Sequence, residues 1–153
     1  MKTCDAIIEI LKREGIDTLF GYPRNALLEA AAAANVRTII PRQERIGLHM
    51  ADAYSRLTRG EKPGVFCCQH GPGAEVAYAG VAQAYGESVP LLVLPGGYPT
   101  AIAHVGRNYN SVRNMAQITK SAEPLNVPAQ TSAVMRRAFT ALHNGRGGPA
   151  LVE

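Results

Sequence analysis

The chain has 153 residues, 46% of them hydrophobic, which supplies one ordinary globular core and leaves no room for a second full domain, so residues 1–153 read as a single domain. Lys and Arg number 16 against 12 Asp and Glu, and this net charge of +4 is spread thinly: Arg42, Arg45, Arg56 and Arg59 stand among acids and apolar residues, so nucleic acid is not an expected partner. No apolar run approaches the roughly 20 residues needed to cross a bilayer, and the opening MKTCDAIIEI lacks a signal peptide's apolar stretch, so no membrane contact and a cytoplasmic location are expected.

Three cysteines, Cys4, Cys67 and Cys68, make an odd count without a CxxC spacing, which argues against a disulfide framework and against a zinc site. Four scattered histidines without HExxH argue against a catalytic metal held by this chain.

Residues 3–14 begin with a capping residue, Thr3, and carry Ala6, Ile7, Ile10 and Leu11 at helical spacing before Gly15 stops them, which predicts an amphipathic helix. Asp17 to Phe20 is a short apolar run ended by Gly21-Tyr22-Pro23, and Asn25 is placed to cap a helix over 26–34. The alternation then repeats, with a strand over 36–40, a helix over 44–58, a strand over 64–68, a helix over 74–85 and a strand over 90–94. From Gly96 to about Asn114 the pattern weakens into an edge crossing or a site loop. A last helix over 130–143 and a final strand over 149–153 follow.

Short apolar strands that alternate with helices, without an in-and-out pattern inside each strand, belong to a sheet buried on both faces. The expected fold is therefore α/β, doubly wound, with a mainly parallel sheet and helices on both faces. The chain ends inside its last apolar strand, which reads as the amino-terminal part of a longer protein.

In an open parallel sheet ligands bind beyond the carboxyl ends of the strands. The residues there are Gly21-Tyr22-Pro23, Gln43-Glu44, His70-Gly71-Pro72-Gly73 and Gly96-Gly97-Tyr98. Glu44 stands at a helix start, where unpaired amides favour an ionised carboxylate; a simple helix-start acid would stand there for the same reason. The glycines after His70 permit close approach by a ligand, although such a turn also serves as a plain strand-to-helix connection. Neither GxGxxG nor GxxxxGK[ST] occurs, so a dinucleotide or nucleoside triphosphate has no support. His70 and His104 are candidate acid–base groups by residue type, without a partner visible in sequence. The absence of GxSxG leaves no nucleophile elbow.

Taken in order, Phe20-Gly21-Tyr22-Pro23, Pro41-Arg42-Gln43-Glu44, Ala51-Asp52-Ala53-Tyr54-Ser55-Arg56, Gly71-Pro72-Gly73-Ala74, Ala84 to Pro90 and Ile118-Thr119-Lys120 form a series, closed by Gly145-Arg146-Gly147-Gly148-Pro149-Ala150-Leu151-Val152. The series resembles the amino-terminal, pyrimidine-binding domain of the acetolactate synthase-like thiamine diphosphate enzymes, across essentially the whole chain. The resemblance implies that Glu44 hydrogen-bonds the ring nitrogen opposite the cofactor's exocyclic amine and so promotes loss of the thiazolium proton. It implies that Gly21, Pro23, Pro72, Gly73 and Val76 contact the ring. Arg24, His70 and Glu75-Val76 depart from the family pattern, and Asn110 lies where the synthases tend to have Gln. His70 and Asn110 therefore become possible substrate-facing residues, and the reaction broadens to decarboxylation or carboligation of a small 2-keto acid.

The resemblance further implies a second domain, of the same or another subunit, that holds the diphosphate and Mg²⁺, in a homo-oligomer. The chain alone is then expected to be inactive and to expose an apolar patch through which it self-associates. Whether FAD accompanies the cofactor, as in some synthases of this type, is left open. Two alternatives stand beside this reading: a separate α subunit of a two-chain 2-keto acid decarboxylase, and a non-catalytic α/β assembly module.

Overall fold

A computed structural model describes residues 2–22 and 25–153. Six helices and six strands alternate along the described chain: α1 (Thr3–Arg13), β1 (Thr18–Tyr22), α2 (Asn25–Ala33), β2 (Arg37–Ile39), α3 (Glu44–Leu57), β3 (Gly64–Cys68), α4 (Pro72–Gly86), β4 (Leu91–Pro95), α5 (Ser111–Met115), β5 (Ser121–Glu123), α6 (Thr131–His143) and β6 (Pro149–Val152). The strands form one sheet in the order β2-β1-β3-β4-β6-β5, and each recorded pairing is parallel. The doubly wound α/β expectation therefore holds.

Why these strands are central follows from their side chains. β3, β4 and β6 are buried along their whole lengths, and successive residues serve opposite layers. Val65, Cys67, Leu92, Leu94 and Ala150 pack with Ile8 and Leu11 of α1 and Met135 and Leu142 of α6. Phe66, Cys68, Leu91, Val93 and Leu151 pack on the other side with Leu48 of α3 and Ala74, Ala77 and Val81 of α4. α3 and α4 approach closely because Gly80 presents no Cβ to Leu48. Their outer sides carry exposed apolar residues, Ile46, Met50 and Leu57 on α3 and Tyr78 and Tyr85 on α4.

Three details depart from the sequence reading. Thr3 is not the cap of α1: it is the first helical residue, and Asp5 closes the helix start by accepting the Lys2 amide at 2.9 Å. The weak stretch after Gly97 ends in α5, whose Asn110 side chain accepts the Arg113 amide at 2.7 Å. β5, a half-buried three-residue edge strand, has no apolar run of its own and exists by pairing with β6.

Chain order reverses between β1 and β3: β2 lies on one side of β1, and the chain then returns through α3 to place β3 on the other. Such a reversal splays the flanking connections and opens a crevice at the carboxyl ends of the strands.

Candidate functional site

Glu44 begins α3 directly after β2, and Gln43 before it is extended, so the carboxylate enters the helix at its amide-rich end. Its residue is 8% exposed, unusual for a glutamate, and among the described residues it belongs to no ion pair.

What faces it is the start of α4. Gly71 takes φ +62°, a left-handed conformation open to glycine, and Pro72 follows as the first helical residue with its fixed φ. At Gly73 a Cβ would stand 3.1 Å from Glu44 Oε1 and 2.8 Å from Gln69 Cγ. A side chain there would crowd the carboxylate, so glycine leaves the acid a free approach. Val76, one turn along α4, is half-buried, and Pro72 is exposed.

Gly21 lies in β1, and a Cβ on it would meet Cys67 Sγ at 2.5 Å and Leu28 Cδ2 at 2.9 Å, so strand and helix packing alone account for glycine at this position. Pro23 lies outside the described residues.

Further along the same rim, His70 packs edge-on against Tyr98, with ring centroids 4.3 Å apart. Its Nδ1 is buried and has no hydrogen-bond partner. Asn110 is exposed at the start of α5 and lines a hollow with Tyr98 and Glu153. His104 lies exposed in the connection after β4 and joins neither group.

The vicinal thiols are structural. Burial pushes Cys67 up to about 12 and raises Cys68 as well, with the neighbouring Glu44 charge adding to the second, so neither is a ready nucleophile. Among the described residues no group of three or more His, Cys, Asp and Glu gathers to hold a metal, and no helix is long and apolar enough to cross a membrane.

Sequence reasoning passed over Glu153. It follows β6 at the same rim, half-buried, and its Oε2 accepts the Val112 amide at 3.2 Å. Burial raises its pKa, while the amides of Val112 and Ser111 pull the other way. The signal was available, since the rule that points to residues just past each strand applies equally to the last one.

The site is thus a largely buried carboxylate in no ion pair, at the reversal of a parallel sheet and opposite a glycine that leaves it open. Residues 1–123 match the family model described as thiamine pyrophosphate enzyme, N-terminal TPP binding domain. The chain belongs to this family. It is 34% identical over 159 residues to an acetolactate synthase large subunit of Parasynechococcus marenigrum, covering 97% of this chain and 25% of that protein. It is 32% identical to a probable acetolactate synthase large subunit of Methanocaldococcus jannaschii, covering 100% of this chain and 26% of that protein. A chloroplastic acetolactate synthase of Arabidopsis thaliana is 31% identical, with 99% and 23% covered. The chain thus spans about a quarter of the length of these relatives, as an N-terminal TPP-binding domain of the acetolactate synthase-like enzymes.

Proposed function

We propose that this domain holds the pyrimidine ring of thiamine diphosphate in an enzyme that decarboxylates or joins 2-keto acids, and that Glu44 activates the cofactor. The observation that carries the reading is the burial of Glu44 without an ionic partner, opposite the Cβ-free surface of Gly73. A carboxylate in a largely buried residue gains from a donor that reaches it. A ring nitrogen that shares a proton with Glu44 is such a group.

When bound, the cofactor supplies a carbon nucleophile for the keto carbonyl and an electron sink as carbon dioxide leaves. The chain's own residues do the rest. Glu44 holds a proton between its carboxyl oxygen and the ring. Gly73 lets the ring lie close, Pro72 stiffens the turn above it, and Val76 gives an apolar wall. His70, with its buried free Nδ1 beside this turn, is proposed to face the substrate, and Asn110 to face it from the next hollow.

The diphosphate and Mg²⁺ are assigned to another domain of the same or a neighbouring subunit, so the isolated chain is inactive in this reading. The exposed apolar residues of α3 and α4 support burial against such a neighbour, within a homo-oligomer.

The test uses the intact protein supplied with thiamine diphosphate, Mg²⁺ and a panel of 2-keto acids, following keto acid loss and carbon dioxide release. Cofactor-dependent consumption of at least one acid is expected. Tight cofactor binding with no turnover of any member would overturn the 2-keto acid assignment.

A further inference from the structure

The connections that follow β3 and β4 run side by side past the end of the sheet. Cys68 is matched with Pro95 at the last register position of the two strands, and the Gly96 amide then donates to the Cys68 carbonyl at 2.8 Å. Gly96 also lies against the backbone of His70, since a Cβ on it would stand 3.4 Å from the His70 nitrogen. The two connections are tied at their roots, and Tyr98 reaches from the second across the first.

Its ring meets the His70 imidazole with centroids 4.3 Å apart and planes inclined at 61°, an edge-to-face contact. Its hydroxyl lies over Gly71, where a Cβ would stand 3.2 Å from it. Gly71 therefore answers two demands, a φ of +62° and room for Tyr98. His70 is half-buried, and the part of it closed to water includes Nδ1, which has no hydrogen-bond partner. A neutral imidazole carries its proton on one nitrogen, and a buried N–H without an acceptor is the rarer kind of orphan, so Nδ1 is the bare nitrogen and Nε2 carries the proton.

We propose that Tyr98 is a positioning residue for His70: its ring seals Nδ1 and holds the imidazole so that Nε2–H is offered, beside the turn over 71–73, to an oxygen of the substrate. Both the keto and the carboxylate oxygens of a 2-keto acid accept such a bond. Tyr98 itself touches no reacting atom and acts through His70. The inference rests on the 2-keto acid reading for the identity of the substrate, and on the stacked rings for the role of Tyr98.

The test has two arms, both in the intact protein. The first follows carbethoxylation of His70 by diethyl pyrocarbonate, read by mass spectrometry of the peptide that contains it. The reagent attacks a bare imidazole nitrogen, so Y98L and Y98M, which remove the ring, are expected to speed modification at least about threefold, whereas Y98F keeps the wild-type rate. The second arm measures kcat/KM for the best keto acid in wild type, the same variants, H70A and Y98L/H70A. Y98L is expected to lower kcat/KM about tenfold, Y98F to stay within about threefold of wild type, and Y98L to cost nothing further once His70 is gone. A second full loss in the H70A background would mean that Tyr98 supports the fold and not His70, and would overturn the proposal. Equal modification rates with and without the ring would overturn it too, as would a Y98F variant as damaged as Y98L. Modification that follows the ring, without turnover of any keto acid, leaves the seal over Nδ1 standing and sinks the 2-keto acid assignment.

Discussion

Glu44 and Glu153 stand at the same rim of one sheet and are kept from water in different ways. Glu153 follows the buried strand β6 and has an amide bound to its carboxylate, so the fold provides for part of its charge. Glu44 starts a 14-residue helix, is the more buried of the two, and carries no ion pair among the described residues. The contrast is between a carboxylate bound by an amide of its own domain and one in no ion pair among the described residues. The second is the carboxylate proposed to meet the cofactor.

The largest effect should come from removing that charge. E44Q in the intact protein is expected to lower keto acid turnover by about 10²–10⁴-fold, the range for a positioned proton-transfer group, while the melting temperature stays level or rises. If Glu44 served instead as a plain helix-start acid, the variant would lose about 0.3–1 kcal/mol of stability and keep its activity. Thermal melts and turnover assays on the same sample decide between the two.

A smaller effect follows from closing the gap opposite Glu44. The Cβ of G73A would stand 3.1 Å from Oε1, so cofactor affinity measured by calorimetry should fall by about tenfold, the result of losing roughly 1.4 kcal/mol of close approach. Unchanged affinity would mean that the ring does not lie over this glycine.

The smallest effect belongs to a carboxylate on the opposite rim, before β1. Asp17 is held down to about 2, first by its hydrogen bond with Lys62 at 2.6 Å and then by the hydroxyls of Thr18 and Tyr54. Its folded value lies below the unfolded one, so its stabilisation is present above about pH 4 and disappears as pH falls toward about 2. The difference in melting temperature between wild type and D17N should therefore shrink across that window. Because the side chain is largely exposed, the whole effect is modest. A constant difference from pH 7 to pH 2 would contradict the pairing.

How much of this was legible in the sequence depended on how local its cause was. The bounds of β3 follow from an apolar run between glycine and polar residues, and the start of α3 at Glu44 was expected where it is found. β5 was invisible because Ser121–Glu123 has no pattern of its own: its pairing comes from β6, nearly thirty residues later, and Leu125 is tied to the same strand through the Glu153 carbonyl. The hollow at Glu153 depends on this long-range closure, with Tyr98, Asn110 and Asn126 converging from separate connections, so no spacing announced it. The reason for glycine at position 73 also needed coordinates, since only they set its missing Cβ against the carboxylate.

The central claim concerns one proton, and it is tested most directly by the exchange of the thiazolium C2 proton of bound thiamine diphosphate for deuterium. Rapid-quench NMR on the intact protein at saturating cofactor should find this exchange slowed by about 100-fold or more in E44Q relative to wild type. Equal exchange rates in the two proteins, with the cofactor fully bound in both, would contradict it.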